Sequence, residues 1–321
     1  MCCLFGFIDY NNKLSLKQKN TLLSVLSKEC EVRGTDATGI AYNDGTDLRI
    51  IKKALPARKA KLYVKDGARI VMGHTRFTTQ GTEKDNYNNH PFPGVTANAN
   101  FALAHNGVLR NDELLRITED LPQTKIKTDS FIAVQVIEKQ HILDFEALQY
   151  MAEKVSGSFC FTVLDDMDNL YFVKGDNPMT IYDFPKLGII IYASTPEILN
   201  KALKKLKLHK SNHKEIKIKE GEILRIDAKG EFEKATFEFE DYFYSPLFGL
   251  YSGYRPYALD FVPENKYEDV AYCDYEYINE LKSVASYFGW SPADIDCWID
   301  NGLTPDDIED IMYSGYQVAD G

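Results

Sequence analysis

The chain has 321 residues, 44% hydrophobic and 26% charged, which suits one large globular core or two smaller ones. No run approaches the ~18 apolar residues of a membrane span, and no basic-then-apolar leader opens the chain. This predicts a cytoplasmic protein with no membrane partner. The net charge of −11 is unevenly placed: between Asp260 and Gly321 there are 15 acids against only Lys266 and Lys282, which disfavours a nucleic-acid partner there.

In chain order, "CCLFGFIDY" reads as a buried strand. "SLKQKNTLLSVLSKECEVRG" has helical spacing, with Leu22, Leu23, Val25 and Leu26 on one face and Ser15 as N-cap. "TGIAYNDGTDLRIIKK" reads as strand, turn and strand, and "RIVMGHTRF" and "FALAHNG" as apolar strands running into polar loops. "TDSFIAVQVIEKQ" and "FEALQYMAEKV" are predicted helices, and "GSFCFTVLDDMDNLYFVKG" a β-hairpin. "LGIIIYAST" and "KEIKIKEGEILRIDAKGEFEKATFEF" supply further strands. Such a mixture over the first 235 or so residues predicts a layered α+β domain. An aromatic-rich linker follows over 239–262. A small acidic helical region then spans 263–321, where Ser291–Pro292 and Thr304–Pro305 carry the marks of helix starts.

Six cysteines, Cys2, Cys3, Cys30, Cys160, Cys273 and Cys297, show no CxxC and no Cys/His zinc spacing. His74, His90 and His105 give no zinc pattern either. Neither a metal nor another cofactor is expected.

Position 2 is different. Removal of Met1 leaves Cys2 with a thiol and a free α-amine, which titrates near ~8 against ~10.4 for lysine. One residue then supplies both nucleophile and base. The rest of such a site has candidates in the loops after the strands. Asn106 and Gly107 in "HNG" suit an oxyanion hole, although Asn-Gly is also a common tight turn. Arg76 in "GHTRFTTQG" suits a carboxylate, and Asp129 in "KTDSF" suits an ammonium or a helix N-cap. Arg33 in "RGTDATG" is placed to position the N-terminal residue. An Arg and an Asp in one pocket would hold an α-amino acid by both charged ends.

Taken in order, "CCLFG", "RGTDATGI", "GHTRFTTQG" with "NNHPF", "HNGVLRNDEL" and "TDS" resemble the class II glutamine amidotransferase domain, an N-terminal-nucleophile (Ntn) hydrolase domain. "GSFCFTVLDD" and "KEGEILRID" fit its second half, so the resemblance covers about residues 2–238. It implies a four-layer αββα sandwich and hydrolysis of L-glutamine to glutamate and ammonia through a γ-glutamyl thioester on Cys2. It also implies Asn106 and Gly107 as the oxyanion hole, with Gly107 touching substrate as well. Arg76, helped by Thr79 and Gln80, takes the glutamine carboxylate, and Asp129 takes its amine. His90 lines the pocket and Arg33 supports Cys2. The sequence departs from the family at Cys3, where glycine is usual, at Phe77, where one branch has Trp, and at Gln80, where His is frequent. No sugar-isomerase, phosphoribosyltransferase or ATP-pyrophosphatase domain is expected in the remaining residues. The reading is therefore a glutamine-hydrolysing domain that is stand-alone or feeds a separate ammonia-acceptor protein. The alternatives are an Ntn amidohydrolase of another γ-glutamyl amide or peptide, and a non-catalytic regulatory module.

Overall fold

The computed structural model describes residues 2–239 and 290–300, together with the single positions Ile278, Leu281, Lys282, Ala285 and Ile308. The chain divides into two compact units, Met1–Phe248 and Gly249–Gly321.

In the first unit the described strands are β1 (Cys3–Asp9), β2 (Ala37–Asn43), β3 (Leu48–Lys53), β4 (Ile70–Arg76), β5 (Phe92–Val95), β6 (Asn100–Leu109), β7 (Gly157–Asp165), β8 (Asn169–Lys174), β9 (Thr180–Phe184), β10 (Ile189–Ala193), β11 (Lys214–Glu215), β12 (Glu222–Asp227) and β13 (Phe232–Thr236). The helices are α1 (Leu16–Cys30), α2 (Ala57–Ala60), α3 (Asp112–Thr118), α4 (Phe131–Lys139), α5 (Phe145–Lys154) and α6 (Pro196–Lys205). Two antiparallel sheets result. One has the order β11-β9-β10-β1-β4-β2-β3 and the other β13-β12-β8-β7-β6-β5.

Three apolar clusters fix how these elements pack. Phe5 and Phe7 of β1 face Leu22, Leu23 and Leu26 of α1 and Ile198, Leu199 and Leu203 of α6. Leu4 and Ile8 of β1, with Met72 of β4, instead meet Ala102 and Ala104 of β6 and Phe172 of β8 between the two sheets. On the far side of the second sheet, Phe101, Leu103, Phe161 and Val163 pack on Ile132, Val136 and Ile137 of α4 and Leu148 and Met151 of α5. The period-two alternation of a strand therefore splits β1 into two faces. Even-numbered residues face the inter-sheet layer. Odd-numbered ones, including Cys3, face the helices.

The local signals behave as their chemistry requires. Ser15 caps α1 through a reciprocal box with Gln18. The β2–β3 turn is held by Asp44, whose carboxylate accepts from the N–H groups of Thr46 at 3.2 Å and Asp47 at 3.0 Å. In the β7–β8 turn, Asp165 accepts from Met167 and Asn169 in the same manner. The stretch "KEIKIKE" yields only the two-residue strand β11, at the edge of its sheet. Helix α6 is an addition to the sequence reading. Its Thr195 cap and Pro196 are the start signature used above for 291–292.

In the second unit, helix α7 (Pro292–Asp300) starts as expected: Asp294 N–H donates to Ser291 Oγ at 3.3 Å and Ser291 N–H to the Asp294 carboxylate at 2.6 Å. Leu281, Ala285, Ile295 and Ile308 form its apolar cluster. The Thr304–Pro305 helix start, the linker 239–262 beyond Phe239 and most of 263–321 lie outside the described residues. Phe239 itself packs edge-on to Phe159, ring centroids 5.4 Å apart.

Candidate active site

The register of the first sheet assembles the site. β1 and β4 pair with Cys3 opposite Thr75 and Leu4 opposite His74, so one step further sets Cys2 beside Arg76. Residues directly opposite in an antiparallel pair share a face. Cys2 and Arg76 thus project on the same side as Leu4 and Met72, toward the second sheet. The half-buried Cys2 thiol accepts from Phe77 N–H at 3.4 Å, and Arg33 Nε donates to Cys2 O at 3.1 Å. Burial pushes the Cys2 thiol up. The ammonium at the chain start, Phe77 N–H and Arg76 pull it down, and Asp129 adds a smaller upward push. Cys2, Arg76 and Asp129 therefore lie within one another's electrostatic reach.

Arg76 is 2% exposed, yet among the described residues no carboxylate lies within 4.0 Å of its guanidinium. All its acceptors are neutral: Asn89 Oδ1 at 2.7 Å, the Gln80 carbonyl, and Thr128 Oγ1 at 3.4 Å. A buried cation normally finds an anionic partner because desolvating it alone is costly. Burial accordingly lowers its proton affinity, and the Cys2, Asp36 and Asp129 charges raise it again. It remains a guanidinium.

Asp129 is buried just before α4, but Ser130 takes the N-cap position. The Asp129 carboxylate instead reaches back to β6, accepting from Leu109 N–H at 2.6 Å and from Ser130 Oγ at 3.2 Å. No cation pairs with it among the described residues. Among the described residues, this end of the two sheets thus holds one cationic side chain without an anion and one anionic side chain without a cation, both buried.

Asn106 and Gly107 lie inside β6, opposite Cys160 and Phe159 of β7, and not in a tight turn. Asn106 follows Ala102 and Ala104 in the alternation, so its side chain joins the inter-sheet face. It is fully buried, and neither Nδ2 nor Oδ1 has a partner among the described residues. A buried amide left unpaired costs roughly 1–3 kcal/mol. Its backbone carbonyl is held by Asn177 Nδ2 at 3.2 Å. Gly107 has φ +142, and a Cβ there would lie 2.0 Å from Ser158 O, so only glycine fits.

Three buried histidines back the site. His90 packs on His74 and Phe92, ring centroids 4.2 and 4.4 Å apart, with both ring nitrogens unpartnered. Gly39 makes room for it, since a Cβ there would meet His90 O at 2.1 Å. His74 Nε2 lies 2.9 Å from His105 O and so ties β4 to β6 across the sheets. His105 Nδ1 lies 2.7 Å from Ser130 Oγ. Burial lowers all three, His74 to about 3 and His90 well below the ordinary value, so all three are neutral near pH 7. Among the described residues no three His, Cys, Asp or Glu side chains gather as metal ligands.

Of the residues picked from sequence, Cys2, Arg33, Arg76, Asn106, Gly107, Asp129 and His90 occupy this end of the two sheets. Gln80 reaches Arg76 only through its backbone carbonyl, and Thr79 stands exposed with no described side-chain hydrogen bond. The sequence reading did not single out Asp36, whose carboxylate holds Thr78 N–H at 2.7 Å, nor Asn88, Asn89 and Thr128 around Arg76. "NNHPF" contained two of them, but consecutive asparagines in a polar loop read as turn formers.

No family model matches the chain. Among curated proteins it is 32% identical over 192 residues to a glutamine–fructose-6-phosphate aminotransferase (isomerizing) of Staphylococcus epidermidis, covering 56% of this chain and 30% of that one. To the enzyme of the same name from Staphylococcus aureus it is 29% identical over 245 residues, 72% of this chain and 38% of the other. The chain thus spans well under half the length of these relatives. Among solved structures it matches an allosteric regulatory enzyme of purine biosynthesis (TM-score 0.60, 17% identity, 74% of this chain and 50% of that one). It also matches the glutamine phosphoribosylpyrophosphate amidotransferase of B. subtilis (TM-score 0.58, 19% identity, again 74% and 50%). These likenesses agree with the resemblance to a class II glutamine amidotransferase domain.

Proposed function

We propose, from the premise that the chain resembles a class II glutamine amidotransferase domain, that it hydrolyses L-glutamine to glutamate and ammonia through a thioester on Cys2. The carrying observation is the pair of buried, unmatched charges beside one cysteine. Arg76 without a carboxylate and Asp129 without a cation are complementary to the α-carboxylate and α-ammonium of a free amino acid. A substrate held at both ends directs its side chain away from them, toward Cys2.

After Met1 removal the α-amine of Cys2 takes the thiol proton as sulfur attacks the amide carbon. Burial keeps the thiol protonated until that moment, so the base is needed. Asn106 Nδ2, left without a partner, donates to the carbonyl oxygen as it becomes an oxyanion, together with the Gly107 N–H. The tetrahedral adduct expels ammonia using the proton held by the amine, leaving a γ-glutamyl thioester. Water, deprotonated by the same amine, then attacks the thioester; the C–S bond breaks, glutamate is released, and the departing Cys2 sulfur takes back the proton held by the amine. Arg33, on the Cys2 carbonyl, keeps the terminal residue in place. The stacking of helices, sheet, sheet and helices supports reading the domain as the αββα sandwich of this family. The ammonia leaves free or passes to a separate acceptor protein.

The test is glutamate and ammonia release from L-glutamine by the purified chain. Cys2→Ala should abolish it and Cys3→Ala should keep most of it. Turnover that depends on Cys3, or Met1 retained on active protein, would overturn the mechanism.

A further inference from the structure

We propose that Asn89 is a positioning residue that clamps Arg76 with an uncharged acceptor, keeping the guanidinium both fixed and electrostatically unspent for the substrate carboxylate. This rests on the reading of Arg76 given above.

Asn89 is completely buried, and its polar groups are engaged on four sides. Oδ1 accepts from Arg76 Nη1 at 2.7 Å. Nδ2 donates to Glu83 O at 2.8 Å and to Asn86 Oδ1 at 3.1 Å. Its carbonyl accepts from Lys52 Nζ at 2.7 Å, and its N–H donates to Asn86 O at 3.3 Å. Arginine can only donate and Glu83 O can only accept, so one orientation of the amide satisfies both sides. Asn89 therefore pins Arg76 to the loop over it and to β3 at once.

Its neighbour Asn88 does the same for the other half of the pocket. Asn88 Oδ1 accepts from Lys127 N–H at 3.0 Å and its carbonyl from Thr128 Oγ1 at 2.9 Å, fastening the segment that ends in Asp129. Two consecutive asparagines thus set the spacing between the carboxylate receptor and the ammonium receptor. An aspartate at 89 would match the shape, but it would supply the anion that Arg76 lacks and compete with the substrate for it.

The test compares Asn89→Asp with Asn89→Ala in steady-state kinetics and in L-glutamine binding by calorimetry on a Cys2→Ala background. Asn89→Asp should raise KM and Kd about 10- to 100-fold, the scale of a lost charge-assisted bond, with kcat within about threefold. Asn89→Ala, which removes the clamp but adds no charge, should raise both only severalfold. A merely structural asparagine predicts lower thermal midpoints in both variants, with aspartate also losing the Nδ2 bonds to Glu83 and Asn86, but KM and Kd unchanged in the folded protein. Should the Asp variant not fold, an unchanged KM in Asn89→Ala still overturns the proposal. If Cys2→Ala protein binds no glutamine, the functional reading falls and this one with it. If it binds and Asn89→Asp binds equally well, only the role of Asn89 falls.

Discussion

Two buried asparagines divide the work of the pocket, and they are opposites. Asn89, at the carboxylate end, has every polar group of its side chain engaged, whereas Asn106, at the cysteine end, has none engaged among the described residues. A fully bonded amide fixes its surroundings. An unbonded one carries a desolvation cost that only a bound partner removes. The first belongs to the scaffold of the site, and under the proposed function the second is free to meet a ligand atom.

Truncating each should sharpen that contrast. Asn106→Ala should lower kcat by about 10²–10³, the cost of one oxyanion donor, while leaving the thermal midpoint unchanged or raised, because no protein hydrogen bond is lost. A lower midpoint with normal kcat would make Asn106 a structural residue. Asn89→Ala should behave the other way, losing roughly 1–3 kcal/mol of stability in urea titration with kcat retained. Equal midpoints for the two variants would erase the distinction.

The neutral histidines behind the asparagines give a pH signature. Their folded proton affinity lies below the unfolded value of ~6.5, so the unfolded chain binds more protons and stability rises with pH. Stability from this source is fully present above ~6.5 and is lost as pH falls toward the folded value of about 3 for His74. The thermal midpoint should drop between pH 7 and pH 5, and His90→Gln should flatten that slope. An unchanged slope in the variant would mean that carboxylates govern it. The smallest effect belongs to Cys3, which is buried against α1: Cys3→Ala should change kcat/KM by no more than severalfold. A loss as large as that of Asn106→Ala would place it in the chemistry.

The fold was legible wherever one short signal decides an element. Ser15 with Gln18, the Asp-rich turns and the alternation in β1 each act within a few residues. Cys2, Arg76, Asn106 and Asp129 were legible because each ends or flanks an apolar stretch in a recognisable motif. The clamp was not. Asn89 meets Arg76 across 13 residues and Asn88 meets Lys127 across 39, and a polar loop does not announce such partners. Asp129 shows the limit from the other side. Its place before α4 favours an N-cap, but Ser130 takes that position and Asp129 bonds a strand 20 residues earlier. Helix α6 is masked in the sequence by the apolar strand β10 just before it, although Thr195 and Pro196 mark its start.

The central claim is that Cys2, as the N-terminal residue, is acylated by glutamine. It is tested most directly by intact and peptide mass spectrometry of the protein acid-quenched during turnover of L-glutamine. The account predicts loss of Met1 and a single γ-glutamyl adduct on Cys2, increased in amount if water attack is slowed and absent in Cys2→Ala. Retained Met1, an adduct on Cys3, or glutamate production with no adduct on any cysteine would contradict it.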